Sequence, residues 1–232
     1  MEYNKIFHRQ RPAIGLPHRH VMMKESIKRC IICGVVVVMS MFTGTNCLYA
    51  QTASGTINGH DYVDLGLSVK WATCNVGAKS PSGYGDYYAW GETSTKSTYT
   101  EENSKTYEKN IGDIKGNSRY DVARANWGGS WRLPTDDEAE ELLNKCEWTW
   151  ATQSGNNGYK VTGPNGKSIF VPASGNRDGA SLYDAGEYGF YWTSTPCGRN
   201  ADGAYSIDFN SSYHRVSWNS RYAGLSIRPV TE

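Results

Sequence analysis

The stretch Trp127-Gly128-Gly129-Ser130-Trp131-Arg132-Leu133-Pro134-Thr135-Asp136-Asp137-Glu138 decides how this chain folds. An aromatic, glycine-rich approach turns through a proline into the one strongly patterned helix of the sequence. Thr135 is a good N-cap, and Glu138 stands three residues later, so the two can exchange side-chain and backbone hydrogen bonds as a capping box. Three acids crowd the first turn, where exposed N–H groups and the helix dipole favour negative charge, and Lys145 stands at the far end. Ala139, Leu142, Leu143 and Cys146 follow the helical rhythm of one buried stripe, while Glu140, Glu141 and Asn144 face away. One side of this helix must lie on something.

Before the helix, His60 to Asn75 reads as two short strands around Leu65-Gly66-Leu67, and Tyr84 to Glu92 as a third, aromatic strand. Residues 93–118 carry Ser, Thr, Lys, Glu and Asn with almost no large aliphatic side chain, which predicts a polar insertion or long surface loop. Tyr120 to Asn126 predicts a short helix. After the long helix the chain turns to strand and turn. Glu147–Thr152 and Tyr159–Thr162 flank Gly-Asn-Asn-Gly, and Gly163-Pro164-Asn165-Gly166 reverses the chain into Ser168–Pro172. Tyr188–Thr195 and Ala204–Phe209 follow as strands, the latter with Tyr205, Ile207 and Phe209 inward, then Val216–Asn219 and Leu225–Val230. Strands early, helices in the middle and strands late define a mixed α+β domain with an antiparallel sheet, in which the first and last strands meet. Long loops at 173–187, 196–203 and 210–223 are left on one side.

The first fifty residues read as a separate segment. Lys24, Lys28 and Arg29 precede an apolar run from Cys30 to Phe42, then small and polar residues lead to Tyr49-Ala50-Gln51, the layout of a secretory signal cut after Ala50. Translation is expected to start at Met22 or Met23. The apolar run is shorter than the roughly 20 residues a membrane helix needs, so no transmembrane span is expected in the mature chain, which is read as secreted or cell-surface. Lipidation at Cys47 is the alternative. Residues 51–59 read as a linker. Beyond residue 50 stand 17 Lys and Arg against 21 Asp and Glu, a net charge of −4, which does not describe a nucleic-acid binder. All eight Trp and fourteen of the sixteen Tyr lie there, against three Phe, so aromatic rings with a polar edge dominate, in half-buried packing or on a binding surface.

Three cysteines remain beyond the signal. Cys74 and Cys146 fall in ordered apolar stretches and are the pair if a disulfide forms; the alternative is buried thiols acting as small hydrophobes. Cys197 lies in a loop, and no spacing fits a metal site. Asn176, Arg177, Asp178, Tyr183, Asn210, Tyr213, Trp218, Asn219, Arg221 and Tyr222 fall mainly between strands and mix aromatic faces with planar hydrogen-bonding groups, the composition of a glycan- or protein-binding surface. Turn formation explains many of the same residues, and Trp218 and Trp192 are read as core. Arg132, two residues before Pro134, and Arg228, beside Pro229, are read as structural anchors. His60 and His214 have no Ser or Cys partner set, so no catalytic constellation and no cofactor is expected.

Val63-Asp64-Leu65-Gly66-Leu67-Ser68-Val69-Lys70-Trp71-Ala72-Thr73-Cys74-Asn75-Val76-Gly77, followed by Tyr87-Tyr88-Ala89-Trp90-Gly91-Glu92, Trp131-Arg132-Leu133-Pro134-Thr135, Tyr191-Trp192-Thr193-Ser194 and Ser226-Ile227-Arg228-Pro229-Val230, resembles the Fibrobacter succinogenes major paralogous domain family of exported, Bacteroides-type proteins. The Trp-Arg-Leu-Pro-Thr and Tyr-Trp-Thr-Ser segments are also similar to the C-terminal domain of Legionella collagen-like adhesins. The resemblance implies a single C-type-lectin-like domain over 60–232 and a non-enzymatic binding or adhesion module for a glycan or surface protein. The alternatives are a structural or assembly component of the cell envelope and, behind both, an enzyme on a fold like that of formylglycine-generating enzymes, which depend on paired cysteines this chain lacks. Calcium-binding lectins of this architecture use acid-bearing tripeptides; Gly163-Pro164-Asn165 and Trp218-Asn219-Ser220 lack the acids. Asp178, Asp184, Glu187 and Asp202 are the remaining oxygen donors for such an ion.

Overall fold

The structure is a computed structural model that describes residues 52–198 and 201–232. The expected signal segment, its cleavage point after Ala50 and the lipidation candidate Cys47 lie outside the described residues.

The capping box forms as its residues dictate. Thr135 Oγ1 accepts from Glu138 N at 3.1 Å, Thr135 N donates to Glu138 Oε2 at 2.9 Å, and helix α2 runs over Asp136–Lys145. A shorter helix, α1 over Val122–Trp127, precedes it and is capped by Asp121, whose carboxylate also accepts from Gly116 N and Leu133 N. That one buried side chain ties together three chain segments.

Twelve strands are described, all sheet pairings being antiparallel. The first sheet orders β1 (Gly55–Ile57), β2 (His60–Val63), β3 (Lys70–Ala72) and β12 (Val230–Thr231), so the last described strand joins the early strands by pairing with β3, Val230 opposite Trp71. A second sheet is β4 (Glu147–Gln153), β5 (Asn156–Thr162) and β6 (Ser168–Pro172). The third places β10 (Gly203–Asn210) between β9 (Tyr188–Cys197) and β11 (Tyr213–Ser220). A two-stranded ribbon, β7 (Asn176–Asp178) with β8 (Ser181–Tyr183), stands apart. The domain is therefore α+β in class, with mostly antiparallel strands and two helices among the described residues.

The third sheet is covered on both faces, which is why consecutive residues of β9 and β10 are buried. Tyr191, Ile207 and Phe209 face Leu142 and Leu143 of α2 together with Val161, Ile169 and Trp71. Trp192 and Ala204 face the other way, onto Tyr88, Trp90, Leu225, Ile227, Ile114, Val122 and Leu133. Arg228 is buried at this junction, and its guanidinium donates to Asn75 Oδ1 and to the carbonyls of Ala72, Thr73 and Phe170 at 2.7–3.0 Å. It is the anchor its proline context predicts.

Several expectations require correction. Residues 51–59 are not simply a linker, because Gly55–Ile57 pairs with β2 across the turn Asn58-Gly59, both of positive φ. The reversal after β4 occurs at Ser154-Gly155, at φ 50° and 86°, so Asn156, Asn157 and Gly158 already belong to β5. Tyr84–Glu92 forms no strand. Tyr88 exchanges main-chain bonds with Leu225, but Tyr87, Tyr88, Ala89 and Trp90 are all buried, so the segment is packed on both sides rather than alternating. Residues 93–118 form no regular element, yet Tyr99, Thr106 and Ile114 are buried, so the segment is part of the body. Within β10, Ile207 and Phe209 are inward as expected, whereas Tyr205 is half-exposed. Cys74, Cys146 and Cys197 are all free thiols, so of the two readings for Cys74 and Cys146 the structure has the unpaired one. Burial, with Glu141 nearby, pushes the Cys146 thiol up to about 11, which keeps it protonated and inert.

Candidate functional site: the loop face

Three irregular pieces of chain are joined by main-chain hydrogen bonds into one surface. Tyr99, within the 93–118 segment, exchanges bonds with Gly179 at the tip of the β7–β8 ribbon, at 2.8 and 2.9 Å. Arg177 on β7 exchanges another pair with Gly224 at 2.8 and 2.9 Å, which brings in the turn after β11. The phenol of Tyr99 passes inward and donates to the Tyr87 carbonyl at 2.5 Å, while a Cβ on Gly224 would fall 2.8 Å from the Tyr99 ring. Glu92 is buried and takes both Lys96 Nζ, at 3.1 Å, and Lys105 N, at 2.8 Å, folding the start of the segment back on itself. Loops fixed in this way lose little conformational freedom on binding.

Arg221 lies beneath this surface. It is 1% exposed, stacks its guanidinium 4.2 Å from the Trp90 ring centroid, and donates to the carbonyls of Gly203, Thr106 and Lys109 at 2.8–3.3 Å. It clamps the 93–118 segment onto the sheet and is not the surface contact its loop position predicts. Asn219 is also turned inward: its amide donates to Ser206 Oγ at 2.9 Å and to Asp208 Oδ1 at 3.1 Å. Asn210 serves its own turn, accepting from Ser212 N and Tyr213 N. Asn210 and Tyr213 close the β10–β11 hairpin, seven register steps from the Gly203–Ser220 end. They form no single patch with the rest.

Trp218, expected in the core, is 58% exposed. It alternates with Val216 and therefore points to the α2 side of its sheet, opposite to Asn219. The expected contacts thus divide. Asn176, Arg177, Asp178, Tyr183 and Tyr222 share the loop face; Trp218 stands elsewhere; Arg221 and Asn219 are structural.

What the loop face displays is aromatic and acidic. Every residue of β8 is exposed, with Leu182 at 40% and Tyr183 at 51%. Leu182 pairs with Arg177 and Tyr183 with Asn176, so the ribbon shows one apolar side chain on each of its two faces. Arg177 itself stacks over Tyr87 at 5.3 Å and donates to the Ala180 carbonyl at 3.3 Å. Tyr222 packs edge-on to Tyr107 at 5.5 Å, and Tyr107 donates to Glu101 at 3.2 Å. Burial and this bond push the Tyr107 phenol up to about 12, so it stays a neutral donor. Leu182, Tyr107 and Glu101 escaped the sequence reading, although Tyr99 and Tyr107 are the large aromatic interruptions of a polar stretch. The oxygen donors Asp178, Asp184, Glu187 and Asp202 do not converge: among the described residues no three acidic, His or Cys side chains surround a point that could hold a metal ion.

The described residues thus define an α+β domain that carries a fixed, aromatic loop face, and no described helix is long and apolar enough to cross a membrane. The sequence profile of one family, described as a domain of unknown function (DUF8237), matches residues 135–230, from the cap of α2 to β12. No curated protein and no solved structure matches the chain.

Proposed function

We propose that this is an exported, non-enzymatic module of C-type-lectin-like architecture that binds a glycan or a surface protein through its loop face. The observation that carries the reading is the β7–β8 ribbon, fixed at both ends by main-chain bonds and exposing Leu182 and Tyr183 on opposite faces. Apolar side chains held rigidly in water gain free energy only when a partner covers them, and tyrosine suits sugar and protein partners alike. The lectin-like reading is supported by the pairing of N- and C-terminal strands in one sheet and by the long irregular segments folded over another. Export is supported by the charged, apolar and small-residue layout of residues 24–50.

Purified protein lacking residues 1–50 is expected to give saturable binding on an array of bacterial and host glycans and surface proteins. Binding to no class on such an array would favour a structural role in the envelope instead. For export, the secreted or surface fraction is expected to carry a chain shortened by the signal; a full-length cytoplasmic product would contradict it.

A further inference from the structure

A second concavity lies away from the loop face. A recess of about 450 Å³ is lined by Lys115, Gly116, Arg124, Ser130, Arg132 and Glu232. Three of these six are cations, drawn from three separate stretches of a chain whose residues beyond 50 carry a net charge of −4. Three cations therefore meet at this recess, with Glu232 the one acid of its lining.

The three cations are incompletely answered. Arg132 is 3% exposed; its Nη1 and Nη2 hold Glu138 at 2.8 and 2.7 Å, and Nη2 also meets Glu232 Oε1 at 3.1 Å. Arg124 donates through Nη1 to the Gly129 carbonyl and forms no ion pair among the described residues. Lys115 Nζ stands 3.6 Å from Glu138 Oε1, beyond good hydrogen-bond distance, with its side chain 43% exposed. The Nε atoms of Arg124 and Arg132 are buried with no hydrogen-bond partner, two of only four such buried side-chain atoms among the described residues. Unanswered donors are normally rare, and two of the four belong to arginines that line this recess.

The local backbone keeps Arg124 accessible. Gly116 holds a φ of 65°, and a Cβ there would stand 3.3 Å from Arg124 Nη2. Asp121, the acid beneath, offers no ion pair to these cations, because its oxygens accept from the main-chain N–H groups of Gly116, Arg124 and Leu133. The remaining acid, Glu232, is tethered by one bond to Arg132 while its side chain is 73% exposed. An ion pair with so much water around it is weak and readily exchanged.

We propose that this recess binds an oxyanion, the carboxylate, sulfate or phosphate of a small molecule or of a larger ligand, and that Glu232 is the internal carboxylate such a group displaces from Arg132. Guanidinium forks match both planar and tetrahedral oxyanions, and Lys115 adds a mobile point charge at the rim. The site is independent of the loop face.

Isothermal titration of the full chain at low ionic strength, with phosphate, sulfate, acetate and glucuronate as separate probes, tests this. Saturable binding of at least one probe is expected, the tetrahedral and planar arms showing which geometry the recess prefers. Lys115→Gln with Arg124→Gln is expected to weaken it about tenfold or more, and Lys115→Gln alone about threefold. Glu232→Gln removes the competitor and is expected to tighten binding about threefold, a gain that misfolding cannot produce. If the double variant melts early, the two single variants decide. The absence of saturable binding, binding unchanged in Lys115→Gln, or weaker binding in Glu232→Gln would overturn the proposal.

Discussion

Asp208 shows how far a single residue departs from its sequence appearance. In the alternation of β10 it reads as an outward polar position, yet it is 6% exposed because the sheet is covered on both faces. Burial pushes its carboxyl up to about 6, although Ser206 donates to it at 2.7 Å and Asn219 at 3.1 Å. An unfolded aspartate titrates near 3.9, so the native state alone holds the proton between about pH 4 and 6. Stability from this group is present below that window and falls as pH rises through it. Relative to the parent, Asp208→Asn is expected to gain up to about 3 kcal/mol between pH 4 and 7.5, as read by denaturant melts. Parallel curves for the two proteins would show that Asp208 is not the titrating group. The cysteines teach a related lesson: apolar context marked Cys74 and Cys146 as buried but could not place them side by side, since pairing depends on tertiary distance.

At the scale of elements, the sequence spoke clearly wherever a local mechanism sets the conformation. The capping box and apolar stripe specified α2, and Asp121 capped α1 close to the expected place. Thr135→Ala removes half of that box and is expected to lower stability by about 1 kcal/mol in a thermal melt, with no loss of fold. An unchanged melt would mean that Glu138, held by Arg132, fixes the helix start alone. Asn58-Gly59 was an equally legible hairpin signal, hidden by the polar composition around it. The 93–118 segment was not legible, because its order depends on distant partners: Tyr99 meets Gly179, and Arg221 reaches Thr106 and Lys109. Arg221→Leu removes the guanidinium donor from the carbonyls of Gly203, Thr106 and Lys109, an expected loss of about 1–3 kcal/mol. Limited proteolysis is expected to cut first within 93–118 in that variant. Cleavage elsewhere first would assign the clamp a lesser role.

For the whole molecule, the stretch that decides the fold is not where the proposed function lies. The acids at the start of α2 serve the helix, Trp131 is buried, and Arg132 holds Glu138. The loop face was half legible: Tyr183, Asp178 and Tyr222 are on it, whereas Arg221 and Asn219 resemble surface loop residues in sequence and are consumed by the packing. Sidedness was the hardest feature to read. Trp218 follows from strand parity once β11 is aligned with α2, but parity alone gives no partner, so its exposure was hidden.

On the proposed function, binding belongs to the β7–β8 ribbon and its neighbours rather than to the helix face. This is tested most directly by measuring affinity for a captured glycan or protein with two variants of equal melting temperature. One is Leu182→Ser with Tyr183→Ser; the other is Glu140→Lys with Asn144→Lys on the exposed side of α2. The ribbon variant is expected to lose about tenfold or more in affinity, as removal of anchoring side chains does, while the helix variant matches the parent. Full affinity in the ribbon variant, or loss confined to the helix variant, would contradict it.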